Sequence, residues 1–172
     1  MFIIFISSIY VSQYEKYDNF NKNLNYYNSL YTFLKKISEE IILKKHNNSL
    51  ILRCSSFITP FSKENNIYKL MKNNKNLSIT KNSNYNIIDP NDLLKICKIS
   101  INKKNIKGIF NICANNNLSA FSMAKLSNFN KKFGRYKFTY RKVSVYETYK
   151  KFDFLNKSSK ENYQSTYRLI ND

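Results

Sequence analysis

Glycine and proline are nearly missing from this chain: its 172 residues carry two of each. Two glycines cannot build a Gly-x-Gly-x-x-Gly turn or a Walker loop, which need several to bring backbone N–H groups against a phosphate. Any cradle of that kind has to come from outside this sequence. The same scarcity excludes collagen-like and glycine-rich low-complexity classes. No apolar run of about 18 or more residues occurs, which excludes a membrane-spanning helix. Histidine is reduced to His46, and the three cysteines, Cys54, Cys97 and Cys113, show no Cys-x-x-Cys spacing. An odd, scattered set argues against a disulfide framework and a zinc site and predicts a reduced, cytoplasmic compartment. The opening Met-Phe-Ile-Ile-Phe-Ile lacks the positive start of a signal peptide, since the first basic residue is Lys16.

Acidic residues are also scarce, 11 against 29 basic, for a net charge of +18. Alone, that would suggest nucleic acid or an anionic surface. The basic residues, however, are 25 Lys and only four Arg, and with 27 Asn they are spread through every kind of segment. Nucleic-acid readers gather Arg and Lys on one face. The even spread instead looks like the codon usage of an AT-rich genome, so no specific nucleic-acid partner is expected. What is abundant is apolar: 42% hydrophobic and 16% aromatic residues, too many for a disordered tail and enough for one packed domain.

Phe2–Ile6 is a continuous β-branched and aromatic run, as in a strand covered on both faces. Asp18–Asn28 is polar and irregular. From Ser29 to His46 the period becomes helical, with Leu30, Phe33, Leu34, Ile37, Ile41 and Ile42 in one apolar stripe. Leu50–Leu52 opens a second buried strand, and Pro60 ends that region. Asn65–Lys75 reads as a surface helix and Leu77–Ile88 as an extended, hairpin-like stretch. Asp92–Ser100 reads as a helix with Leu93, Leu94 and Ile96 inward. Gly108 precedes a third strand, Ile109–Cys113. Ser119 caps a helix running to about Phe133 and ended by Gly134. Residues 136–172 mix one extended run with one or two helices.

Strands alternating with helices predict an α/β fold with a doubly wound parallel sheet. Three strong strands are visible, the first starting at residue 2, so the chain reads as the second half of such a sheet. An uncovered first strand would leave an apolar edge and favour aggregation. Residues 1–60 and 107–114 are assigned to the sheet, and 61–106 with 115–172 to a smaller substrate-side subdomain.

Tyr31 and Lys35 stand at i and i+4, on one face of the predicted helix. An ammonium beside a phenol favours the phenolate and suits the pair to proton transfer near neutral pH. Ser7 and Ser8 end the first strand, and α/β sheets bind ligands beyond the carboxyl ends of their strands. Tyr-x-x-x-Lys also occurs at Tyr68/Lys72 and Tyr146/Lys150, no more often than this composition supplies by chance. Context singles out the first copy: an amphipathic helix, Ser8 upstream, Glu39 one turn later, then Leu52-Arg53 and the turn at Pro60.

This ordered set resembles the extended short-chain dehydrogenase/reductase family, the NAD-dependent epimerase/dehydratases. The stations are Ser7-Ser8, Tyr31 to Glu39, Leu52-Arg53 to Pro60, Asn91-Asp92-Leu93 and Gly108-Ile109-Phe110-Asn111. Ser-Ser-Ile-Tyr-Val is nearest to the Ser-Thr-Asp-Tyr-Val of the 4-keto-sugar reductase branch. The resemblance covers residues 2–130. It implies the C-terminal half of a Rossmann-like sheet with its small substrate-binding subdomain, without the N-terminal dinucleotide-binding half. By resemblance Tyr31 is the proton donor or acceptor, Lys35 holds the nicotinamide ribose of NAD or NADP, and Ser8 positions the substrate oxygen. Ser55, Ser56 and Pro60 lie near the nicotinamide, and Ser7 and Tyr85 near a nucleotide-linked sugar. Asp92 and Arg53 read as structural, and Glu39 as a residue of the helix face. Leu34 and Ile58-Thr59-Pro60 depart from the family pattern, and Tyr85 stands where an Arg often meets the sugar nucleotide.

Three readings follow: a truncated enzyme of this type, completed by an upstream-encoded half or a second copy and serving surface polysaccharide synthesis; an inactive remnant acting as an interaction module; or a basic nucleic-acid-binding module. The last predicts steep salt dependence of binding.

Overall fold

The computed structural model describes residues 1–16, 26–103 and 105–171. Within them the chain forms two compact units, residues 1–55, 92–113 and 141–155, and residues 56–91, 114–140 and 156–172. Two segments that the sequence assigned to the substrate side, 92–106 and 141–155, pack with the sheet instead.

The first unit is built on a parallel sheet of β1 (Ile3–Ser8), β2 (Ser49–Cys54) and β6 (Gly108–Ile112), in the order β1-β2-β6. All six residues of β2 are buried, and Leu50, Ile51 and Leu52 are fully enclosed. Burying each of these side chains stabilises the fold by about 1.5–3 kcal/mol. β6 starts at Gly108, whose φ of 103° is open to glycine but strained for an L side chain. Register aligns Phe5 with Ile51 and Ile109 on one face of the sheet, and Ser7 with Arg53 and Asn111.

Helices α1 (Ile9–Lys16) and α2 (Tyr26–Lys45) follow β1, and α2 lies over the face that carries Phe5 and Ser7, as its contacts with those two residues show. The irregular run expected over Asp18–Asn28 falls at residues 18–25 outside the described residues, while 26–28 are helical. α4 (Pro90–Lys103) buries Asp92, Ile96 and Ser100. On the opposite face of the sheet, Phe110 meets Phe152 edge to face at 5.6 Å, just after α6 (Tyr146–Lys151).

Three expectations are corrected here. β1 is not covered on both faces: Ile3 to Phe5 are half-buried and Ile6 is 37% exposed. Leu94 points outward on α4, because the inward arc runs through 92, 96 and 100. The apolar stripe of α2 is not its buried side: Leu30, Phe33, Leu34 and Ile41 are exposed, and the enclosed residues are Thr32 and Glu39.

The second unit holds two small pairs, β3 (Ser56–Phe57) parallel to β5 (Ile87–Ile88), and β4 (Asn84–Tyr85) antiparallel to β7 (Leu118–Ser119). The hairpin expected over 77–88 does not form, since β4 and β5 each pair elsewhere. Around them pack α3 (Ile67–Lys72), α5 (Ala120–Leu126) and α7 (Ser159–Asn171). Their core includes Tyr68, Met71, Ile87, Met123 and Tyr163. Ser119 caps α5, its hydroxyl accepting from the N–H of Ser122 at 3.0 Å. The helix stops at Leu126, earlier than expected, because Asn128 turns into the left-handed region at φ 53°. Gly134 is therefore no helix cap; it lies against the backbone of Ser78.

α7, for which the sequence offered no motif, is clipped to β5 by side chains. Ser159 Oγ accepts from the Ile87 N–H at 3.0 Å, and Asn162 Nδ2 donates to the Ile87 carbonyl at 2.9 Å. Ser165 donates to Asp89 at 2.8 Å.

Burial lifts the Tyr149 phenol to about 12 and pushes the Tyr163 phenol and the Cys54 thiol still further above their ordinary values. The native state keeps protons that an unfolded chain releases from about pH 9–10 upward. Stability is therefore full below that range and falls as pH rises toward 12. A melting temperature that declines between pH 9 and pH 11.5, alongside tyrosinate absorbance, is the expected result; a flat profile contradicts it.

Candidate functional site

The carboxyl end of β1 carries Ser7 and Ser8 on opposite faces of the sheet. Ser8 Oγ accepts from the N–H of Tyr10 at 3.3 Å, which turns the chain into α1. Ser7 faces α2 and donates to Glu39 Oε1. Both hydroxyls are buried, so Ser7 belongs to the interior network and Ser8 to the strand tip.

Lys35 reaches β1 from α2. Its Nζ donates to the Ile6 carbonyl at 3.0 Å and stands 4.9 Å from the Phe5 ring centre and 5.9 Å from that of Tyr31. The ammonium is thus beside the phenol ring, as the i, i+4 spacing predicted, and two residues along β1 from Ser8. Tyr31 is half exposed. Among the described residues β1 is an edge strand, and the Ile6 carbonyl points away from β2. Ile3 N–H bonds to Asn48 O, and the β1–β2 ladder takes every second residue after it. The groups of Ile4, Ile6 and Ser8 point the other way.

Below this pair lies a network that sequence reading missed. Arg53 Nε stands 3.1 and 3.0 Å from the two Glu39 oxygens, and its Nη2 is 2.6 Å from Oε2. Arg53 Nη1 donates to Ser12 Oγ at 2.9 Å, and Ser12 donates to Asn111 Oδ1 at 2.5 Å. Glu39 is only 2% exposed, so it is no ordinary helix-face residue. The one signal in the sequence was Glu39 repeating the Tyr31/Lys35 row at i+4. At the end of β2, the Ser55 hydroxyl is buried and has no hydrogen-bond partner.

In the second unit a cavity of about 220 Å³ is floored by Leu77, Ile79, Ile87 and Met123 and rimmed by Asn65, Asn66, Ser78 and Ser56. Tyr85 forms one wall, its ring stacked on Phe138 at 4.8 Å. Cavities near 150 Å³ take a benzene ring, and drug-sized sites run to roughly 300–1,000 Å³. This cavity therefore has room for a group about the size of one ring system. Of the expected ligand residues, Tyr85 and Ser56 line it; Pro60 does not and is exposed. The Asn and Ser rim was illegible in so Asn-rich a chain.

The dTDP-4-dehydrorhamnose reductase of Clostridium acetobutylicum superposes with a TM-score of 0.72 at 16% identity, over 99% of this chain and 66% of that one. Over almost its whole length this chain shares the α/β fold of that structure. The dTDP-glucose 4,6-dehydratase of Bacillus anthracis, solved with NAD, gives 0.69 at 13% identity over 99% and 62% of the two chains. The UDP-glucuronic acid 4-epimerase of Bacillus cereus, solved with UDP-glucuronic acid and NAD, gives 0.70 at 14% over 97% and 60%. The chain thus spans less than two thirds of the length of these structures. No family model matches the chain, and no curated protein does.

Among the described residues no cluster of His, Cys, Asp and Glu could hold a metal, and no helix is long and apolar enough to cross a membrane. Lysines are found on α2, α3, α4, α5 and α6, in both units, rather than on one element.

Proposed function

We propose that this chain is the sugar-binding and proton-transfer portion of an NAD(P)-dependent epimerase, dehydratase or reductase acting on a nucleotide-linked sugar. The observation that carries the reading is Lys35 held against both β1 and the Tyr31 ring, on a fold shared over almost the whole chain with enzymes of this chemistry. Tyr31 is the acid/base: half exposed, it can exchange a proton with a sugar hydroxyl or carbonyl. Ser8, the strand-tip hydroxyl expected to orient that oxygen, leaves β1 on the face away from α2, so Tyr31 and Lys35 carry the reading without it. The reading extends to cytoplasmic synthesis of surface polysaccharide.

The residues present fit the nicotinamide end of a dinucleotide. Ser55 offers a buried hydroxyl without a protein partner, and the Lys35 ammonium, now on the Ile6 carbonyl, has further N–H donors for a ribose diol. When bound, the cofactor supplies hydride transfer. The Gly-rich turn for its pyrophosphate is not in this sequence.

The 220 Å³ cavity receives the base of the sugar nucleotide, with Tyr85 as an aromatic wall and Asn65, Asn66 and Ser78 as hydrogen-bonding rim. Calorimetric titration with UDP-glucose and dTDP-glucose, against glucose 1-phosphate, tests this. Saturable binding that needs the nucleotide is expected. Leu70→Trp, which fills the cavity, should weaken it about tenfold or more, equal to ~1.4 kcal/mol. Equal binding of glucose 1-phosphate, or none by any nucleotide, defeats the reading. Titration with NADH and NADPH separates an assembled cofactor site from a remnant: the Lys35 ammonium already bonded to Ile6 favours a chain that binds sugar nucleotide without turning it over alone.

A further inference from the structure

We propose that Glu39 is a positioning residue for Lys35: the buried Ser7–Glu39–Arg53 network sets the rotation of α2 that brings the Lys35 ammonium to the carboxyl end of β1. This rests on the functional reading above for its significance.

A surface helix usually finds its rotation by burying an apolar stripe. α2 does so only in part: Ile37 and Ile42 are half-buried, while Leu30, Phe33, Leu34 and Ile41 are left exposed. Apolar contact is also non-directional, so it defines a rotation only loosely. The contacts that α2 does make with β1 and β2 through Lys35 and Glu39 are directional. Glu39 receives the Ser7 hydroxyl from β1 and two guanidinium nitrogens from β2. Forked charge-assisted bonds of this kind fix an angle as well as a distance.

Arg53 is itself held from its far side by Ser12, and Ser12 by Asn111, whose Nδ2 donates to the Ser144 carbonyl at 2.9 Å. The anchor therefore reaches from β1 across β2 to β6. Glu39 and Lys35 are one turn apart, about 40° around the helix. A rotation of α2 that breaks the Glu39 fork swings Lys35 off the Ile6 carbonyl and away from the Phe5 ring.

Acylation of individual lysines, read by mass spectrometry on the full native chain, reports where Lys35 sits without needing cofactor or substrate. In the parent chain Lys35 should react more slowly than exposed Lys44. Glu39→Gln should raise the Lys35 rate relative to Lys44 about tenfold, and Ser7→Ala, a milder change, by a smaller factor in the same direction. Glu39→Asp, which keeps the charge, should fall between parent and Gln. Ile96→Val on α4, which also lowers stability, should leave the ratio unchanged. If Glu39→Gln does not fold, Ser7→Ala and Glu39→Asp decide. An unchanged ratio in the folded variants, or an equal rise in Ile96→Val, overturns the proposal. Loss of nucleotide binding by the parent chain would defeat the functional reading while leaving this result as it stands.

Discussion

Arg53→Met is expected to destabilise the protein by about 3–5 kcal/mol, the cost of leaving a buried charge without its partner. Glu39 is 2% exposed and would keep only the Ser7 hydroxyl among the bonds described above. An exposed pair in the same chain provides the contrast. Lys69 and Glu64 meet at 2.8 Å, a distance similar to Arg53–Glu39, but Glu64 is 68% exposed. Solvent screens such a pair, so Lys69→Met should be nearly neutral. In urea, with an m-value of ~2 kcal/mol/M, the Arg53 variant should lose about 2 M from its midpoint. Removing both charges in Glu39→Leu/Arg53→Met should recover much of the loss, because buried pairs commonly break even against apolar side chains. Ser12 keeps its bond to Asn111 but Ser7 loses its Glu39 acceptor, which holds the recovery short by about 1–3 kcal/mol for the unsatisfied hydroxyl. A midpoint for Arg53→Met no lower than that of Lys69→Met would show that the pair is not buried in solution.

Gly134→Ala should cost about 2–3 kcal/mol, toward the upper end of what overpacking does. An added methyl would sit 2.2 Å from the Ser78 carbonyl oxygen and 2.5 Å from its carbon. These are backbone atoms, so no rotamer change relieves the clash. The two segments run side by side: Gly134 N–H bonds to Ile79 O at 2.9 Å, and Tyr136 N–H to Ser78 O at 3.0 Å. Moving Ser78 aside breaks the second bond and displaces the cavity wall formed by Ser78 and Ile79. The variant should therefore lose nucleotide binding at temperatures where circular dichroism still reports a folded chain. Unchanged stability and unchanged binding would mean that Gly134 does not approach Ser78 as described.

The sheet was legible because its strands are runs of Ile, Leu and Phe, and α4 because of its period and the Pro90 in its first turn. Two-residue strands such as β3 and β4 are too short to show any period. α2 was found but turned the wrong way, since periodicity assumes that the apolar side is the buried one and here Glu39 and Thr32 are enclosed instead. Order and spacing singled out Tyr31, Lys35 and Ser8, of which Tyr31 and Lys35 come together. The Glu39–Arg53 fork could not, because its members come together only when α2 folds over β1 and β2. Gly134 was read as a helix end from its type alone; its actual constraint is a neighbour 56 positions earlier, Ser78.

A strand on the rim of a sheet is a ready template for the growth of fibrils, and proteins commonly guard such rims with lysine. The Lys35 ammonium on the outward Ile6 carbonyl puts a hydrated charge where an incoming strand would have to lay its own backbone. One side chain thus covers an outward carbonyl of β1 and also stands beside the Tyr31 ring. Along the Ile-Ile-Phe-Ile strand, that charge opposes the backbone pairing on which cross-β growth depends.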